Sequence, residues 1–149
     1  MPIDVDFATI RPWGRGQDTG FEELCCQVAR AQALQQGRSF VRLGTPDGGV
    51  EGYSIDASGA EHGLQAKFFL GSPSIDQWSK ITSSVKTAIK KHPNLTAMTI
   101  ALPSDRADPR KPNEQWFMDR WNHYVGEWQV RRLLGADGGI PLHGQVRDP

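Results

Sequence analysis

Residues 46–70 decide the fold: Pro46-Asp47-Gly48-Gly49-Val50-Glu51-Gly52-Tyr53-Ser54-Ile55, then Asp56-Ala57-Ser58-Gly59-Ala60-Glu61, then His62-Gly63-Leu64-Gln65-Ala66-Lys67-Phe68-Phe69-Leu70. From Val50 to Ile55 the side chains alternate, with Glu51, Tyr53 and Ile55 on one side and Val50 and Gly52 on the other. Asp56 to Gly59 breaks the run, and His62 to Leu70 resumes as an apolar strand, so the two runs read as a hairpin. In the second run Gln65 and Lys67 share one face, while Leu64, Ala66 and Phe68 share the other. Two polar groups thus interrupt an otherwise apolar strand. A surface strand fits Gln65 poorly, because Leu64, Ala66, Phe68 and Phe69 surround it.

Outward from this hairpin, helical spacing of Phe21, Leu24, Cys25, Val28 and Ala31 predicts a helix from near Gly20 through Leu34, capped by Asp18 or Thr19 and ended by Gly37. Ser39 to Leu43 reads as a short strand, and 44–49 as a turn. Ser74 caps a second helix over 75–91 with Trp78, Ile81, Val85 and Ile89 on one face, stopped by His92-Pro93-Asn94. Leu95 to Leu102 is a buried-type strand. After a charged, proline-rich loop, Asn113 caps a third helix over 114–133 that gathers Trp116, Phe117, Trp121, Tyr124 and Trp128. The order α-β-β-β-α-β-α predicts a mixed central sheet flanked by helices. Residues 1–134 read as one domain. The turn-rich stretch 135–149 reads as a linker or tail toward a further domain outside this chain.

With 149 residues, 38% hydrophobic and 23% charged, the chain has the composition of a globular domain able to bury a core without disulfides or a structural metal. The adjacent Cys25-Cys26 pair has neither zinc spacing nor disulfide-framework spacing. No apolar run reaches the length of a membrane span, and the first residues lack the apolar segment of a signal peptide, so the expected location is the cytoplasm. Net charge is zero, but residues 1–76 carry 10 acids against 6 Lys and Arg, and residues 77–149 carry 7 against 11. An acidic half beside a basic half suits a cation site next to a phosphate-holding surface, and it also suits chance.

Lysine at position 67 inside an apolar strand needs a carboxylate or a bound anion nearby. Glu51 on the facing strand and Asp47 in the turn supply carboxylates. With the amide oxygen of Gln65 these are hard oxygen ligands of the kind magnesium takes. A lysine beside them can position a water or neutralise charge on phosphorus.

Asp47-Gly48-Gly49-Val50-Glu51 followed by Gln65-Ala66-Lys67 resembles the catalytic core of the PD-(D/E)XK nuclease superfamily, in the Mrr-like subgroup where glutamine replaces the third-strand acid. Gly20-Phe21-Glu22-Glu23-Leu24 resembles the first-helix segment whose glutamate reaches the metal site. The likeness spans roughly residues 18–102. It implies a restriction-endonuclease-like fold with an α-β-β-β-α-β core, here followed by a C-terminal helix. It also implies a Mg2+-dependent endonuclease, with Mn2+ substituting, acting on double-stranded DNA. The catalytic set implied is Glu22, Asp47, Glu51, Gln65 and Lys67, with Asp47, Glu51, Gln65 and the Leu64 or Ala66 carbonyl toward metal. Glu51 stands where the family usually has Asp, which leaves open whether Glu51 or Asp47 is the principal ligand. Related domains head bacterial antiphage effectors of the CBASS and AVAST type, ahead of a sensor or ATPase domain. A homo-oligomer is expected, since one such site cuts one strand.

Each residue also carries a plainer explanation. Glu22 and Glu23 fit a solvated pair, with a capping box from Thr19. Asp47-Gly48 is a favoured hairpin turn, and Glu51 with Lys67 fits a cross-strand ion pair. Lys80, Lys86, Lys90 and Lys91 fit a solvated helix face or a phosphate-contacting one, of which Lys80, Lys86 and Lys90 are taken as nucleic-acid contacts. The aromatic run of the last helix fits core or subunit interface better than a base-stacking platform. His62, His92, His123 and His143 have no ligand spacing. Two other functions compete with the nuclease: a catalytically silent module of the same fold that binds nucleic acid or mediates assembly, and an unrelated small α/β enzyme.

Overall fold

A computed structural model describes residues 6–44, 48–103 and 117–135. Asp47, the proposed cap Asn113, Trp116, His143 and the tail beyond Gly135 lie outside the described residues.

Helix α1 runs Gln17–Gln35, then come strands β1 Ser39–Arg42, β2 Gly52–Ile55 and β3 Glu61–Ala66, helix α2 Ile75–Lys91, strand β4 Leu95–Ala101 and helix α3 Phe117–Gly135. The sheet order is β1-β2-β3-β4, with β1–β2 and β2–β3 antiparallel and β3–β4 parallel. The chain is therefore mixed α/β, with a four-stranded mixed sheet and three helices. A parallel partner for β3 requires a crossover, and α2 supplies it.

The hairpin loop between β2 and β3 closes on Asp56, whose Oδ1 accepts from Ser58 N at 2.8 Å, Ser58 Oγ at 2.5 Å and Ala60 N at 3.1 Å. Those bonds, the Ser58 hydroxyl first, hold the Asp56 carboxyl below the usual carboxylate range. Helix α2 starts in a reciprocal cap: Ser74 Oγ accepts from Gln77 N, and Gln77 Oε1 accepts from Ser74 N at 2.9 Å.

The main core lies on the α2 side of the sheet and joins Val50, Trp78, Ile81, Val85, Ala88, Leu95, Met98 and Ile100 to Phe117, Trp121 and Trp128 of α3. Gly63 faces this side, since a Cβ there would stand 2.9 Å from Val50 and 3.0 Å from Leu95. Alternation turns the buried Leu64 the other way, toward α1, whose Phe21 meets Phe68 at 5.7 Å between ring centroids. The described part of the α3 aromatic run is consumed inside the fold. Trp78 stacks on Tyr124 at 4.9 Å, and Trp128 Nε1 donates to Thr82 Oγ1 at 3.1 Å.

Helix α1 differs from its predicted face. Phe21 and Cys26 are buried, but Leu24 and Val28 are 44% and 50% exposed. Apolar residues lie nearly all round this helix, so spacing alone did not choose a face. The sheet takes the stripe of small residues at 26, 29 and 33, which allows close approach. Glu22 heads that stripe.

Candidate functional site

Glu51 precedes β2 and is held at both ends of its peptide: its N–H donates to Leu64 O at 2.7 Å, and its carbonyl accepts from Leu43 N at 2.9 Å. The residue is buried, at 7% exposure. The turn before it docks on α2, where Gly49, with φ +87°, lies against the backbone of Ser84 and Ala88. The same turn brings Gly48 beside Lys91 and His92, and His92 Nδ1 lies 3.2 Å from Glu61 Oε2.

Gln65, 2% exposed, donates through Nε2 to Glu51 Oε1 at 2.6 Å and to the Ala66 carbonyl at 3.2 Å. A buried carboxylate needs such a partner, and the charge-assisted bond is short and strong. The arrangement also tests the donor set. The Glu51 carboxylate and the Ala66 carbonyl converge on one point, filled here by the electropositive end of the Gln65 amide. Turned over, that amide would offer its own oxygen. These three groups fit a hard cation. Among the described residues no group of three His, Cys, Asp or Glu side chains gathers as a complete metal site, and Asp47 lies outside them.

Helix α1 brings acidic groups to the same place. Burial pushes the Cys25 thiol up to about 12, helped by Cys26 and by the charges of Glu51 and Glu22. Cys26 is pushed up to about 11, again by burial first. The charges of Glu22 and Glu51 add to this rise at both thiols, so neither is a nucleophile at neutral pH.

Lys67 follows the end of β3. Its N–H still donates to Ala101 O at 3.0 Å, but Phe69 N turns back onto Lys67 O at 3.0 Å, so the strand stops short of the predicted Leu70. The Lys67 side chain is half-buried, and among the described residues no carboxylate comes within 4.0 Å of its amine. The cross-strand pair with Glu51 does not form. Lys80, Lys86 and Lys90 are exposed on α2, away from its buried face of Trp78, Ile81, Val85 and Ala88. Lys86 and Lys90 share a stripe, whereas Lys80 lies about 80–120° round the helix from them.

Two residues at the site escaped the sequence reading. Arg42, 40% exposed, donates from Nη1 to the Glu51 carbonyl at 3.0 Å and lies 3.7 Å from Glu51 Oε2 and 3.8 Å from Glu23 Oε2. Glu23, read as solvated, is held by Arg42 and by Gln27 Nε2 at 2.6 Å. Only the register Arg42↔Gly52, which no local pattern encodes, brings Arg42 beside Glu51.

Compared with known protein families and with curated proteins, the chain matches none.

Proposed function

We propose that this chain is a Mg2+-dependent DNA endonuclease domain of the restriction-endonuclease-like fold, acting as the effector part of a bacterial antiviral defence protein. The reading is carried by one observation: Glu51, Gln65 and the Ala66 carbonyl converge in the interior, one residue from a half-buried lysine with no carboxylate partner among the described residues. The α-β-β-β-α-β order and Glu22 at the head of the inward stripe of α1 support it.

In this reading Glu51, Gln65 and the Ala66 carbonyl hold the cation, with Asp47 added from the turn. Bound there, Mg2+ supplies charge stabilisation at the phosphate and at the leaving 3′ oxygen. Lys67 orients the attacking water through its amine, which no carboxylate among the described residues pairs. Glu22 completes the acidic wall from α1. Lys86 and Lys90 form the phosphate-tracking stripe by their shared helix face, with Lys80 as a more distant contact. Double-strand cleavage needs two such sites, so a homo-oligomer, assembled through a fused sensor or ATPase domain, is part of the proposal.

The test is cleavage of supercoiled plasmid. Activity lost with chelator, restored by Mg2+ or Mn2+, and absent from a folded Lys67→Ala protein is the expected result. Wild-type cleavage by folded Lys67→Ala would sink the assignment. Duplex binding without cleavage under either metal would favour the silent module instead.

A further inference from the structure

Arg42 is held in a way that a surface ion pair is not. One of its partners, Glu51, is a buried residue at 7% exposure, whereas Arg42 itself reaches solvent. Among the described residues its side-chain hydrogen bond goes to the Glu51 main-chain oxygen at 3.0 Å. Both carboxylates stand further off, at 3.7 and 3.8 Å. The guanidinium therefore supplies charge to Glu51 and Glu23 without being locked to either. Two carboxylates and one guanidinium leave a residual negative charge.

We infer that Arg42 is an exchangeable counter-cation. It neutralises Glu51 when no metal is bound, gives that carboxylate up to the metal, and then holds a phosphodiester of the DNA. The inference rests on the reading of Glu51 as a metal-holding carboxylate. The chemistry suits arginine, whose planar fork binds a carboxylate and a phosphate alike. Its exposure lets the head group turn from one to the other without disturbing the β1–β2 ladder. Arg42 lies at the C-terminal end of β1, so the swing needs only side-chain rotation.

The exchange predicts changes of opposite sign in two measurements on the full chain. In calorimetric titration with Mn2+ and no DNA, Arg42→Ala should bind on the order of tenfold tighter than wild type, because a competing positive charge is gone. In anisotropy titration of a short labelled duplex in Ca2+, the same variant should bind on the order of tenfold more weakly, because a charge-assisted phosphate contact is gone. Arg42→Lys keeps the charge and loses the fork, so its Mn2+ affinity should stay near wild type while its duplex affinity falls. A folding or positioning defect would lower both affinities, and that result overturns the inference. Mn2+ binding that Glu51→Gln abolishes but Arg42→Ala leaves unchanged also overturns it, while keeping the metal centre. No Mn2+ binding by wild type or by Arg42→Ala removes the metal centre and the exchange together.

Discussion

Gly49→Ala tests how the Glu51 approach is built. The turn carrying Gly49 is pressed onto α2: a Cβ would stand 2.3 Å from Ser84 O and 2.6 Å from Ala88 N. These two atoms are the acceptor and donor of one helical i, i+4 bond, so neither yields by a rotamer change. Restoring van der Waals contact requires the turn to retreat by roughly 1 Å. Gly49 also has φ +87°, which an alanine adopts only at a cost. Gly59 provides the control, with φ +86° and nothing within 4 Å of its would-be Cβ. Gly59→Ala should therefore cost only the backbone term, about 1–2 kcal/mol. Gly49→Ala should cost that and an overpacking term of about 1–3 kcal/mol more. Urea unfolding monitored by circular dichroism, with the slope checked for constancy, measures both. Gly49→Ala should also lower cleavage per folded molecule, because Glu51 is two residues away, and Gly59→Ala should not. Two variants of equal stability to within about 0.5 kcal/mol would refute the packing argument, since the fit of the turn on α2 would then contribute little.

Three further outcomes are expected. Glu51→Gln should fold, because a glutamine oxygen can still accept from Gln65 Nε2, and should lose more plasmid cleavage than Asp47→Asn; the reverse ranking would mean the ligands are exchanged. His62 accepts at Nδ1 from Arg38 at 2.7 Å, and burial with the Arg38 charge holds its pKa below the ordinary value of 6.5. The unfolded chain therefore binds the proton more readily, so this contribution is complete above pH 6.5 and is lost as the pH falls below it; the urea midpoint should drop between neutral and mildly acidic pH by more in wild type than in His62→Gln. With burial pushing the thiols up to about 12 and about 11, iodoacetamide at pH 8 should label Cys25 about a thousandfold and Cys26 about a hundredfold more slowly in the native protein than in urea, and comparable rates would mean the pair is not sequestered.

Local chemistry made α2 legible in full. A serine cap, a glutamine three residues on and a single apolar stripe agree, and the helix begins and ends where those residues say. The hairpin was legible for the same reason, because alternation and a turn rich in Asp, Ser and Gly leave one arrangement. Gln65 announced itself as a polar residue inside an apolar strand, and it is buried against the carboxylate fourteen residues earlier. Three features were not legible. The buried face of α1 depends on which stripe the sheet accepts, and its own residues are apolar nearly all round. The end of β3 depends on a turn of the main chain at Lys67–Phe69, where the sequence still reads as strand. Arg42 depends on strand register, a tertiary property that its neighbours in sequence do not specify.

The sheet has a kinetic consequence. Strands β1 to β3 form a meander joined by short connections, whereas β4 reaches its parallel partner only after the seventeen residues of α2 are in position. Hairpins close in about 1–10 μs, while non-local parallel pairing waits on loop closure across the crossover. Glu51 and Gln65 belong to the early part. Because their pairing is local, they are expected to meet before the non-local β3–β4 pairing forms. A nascent chain emerging in order would never have to bury that charge alone, and mutations in β4 or α3 should therefore act mainly on the unfolding rate, whereas those in the hairpin should slow folding itself.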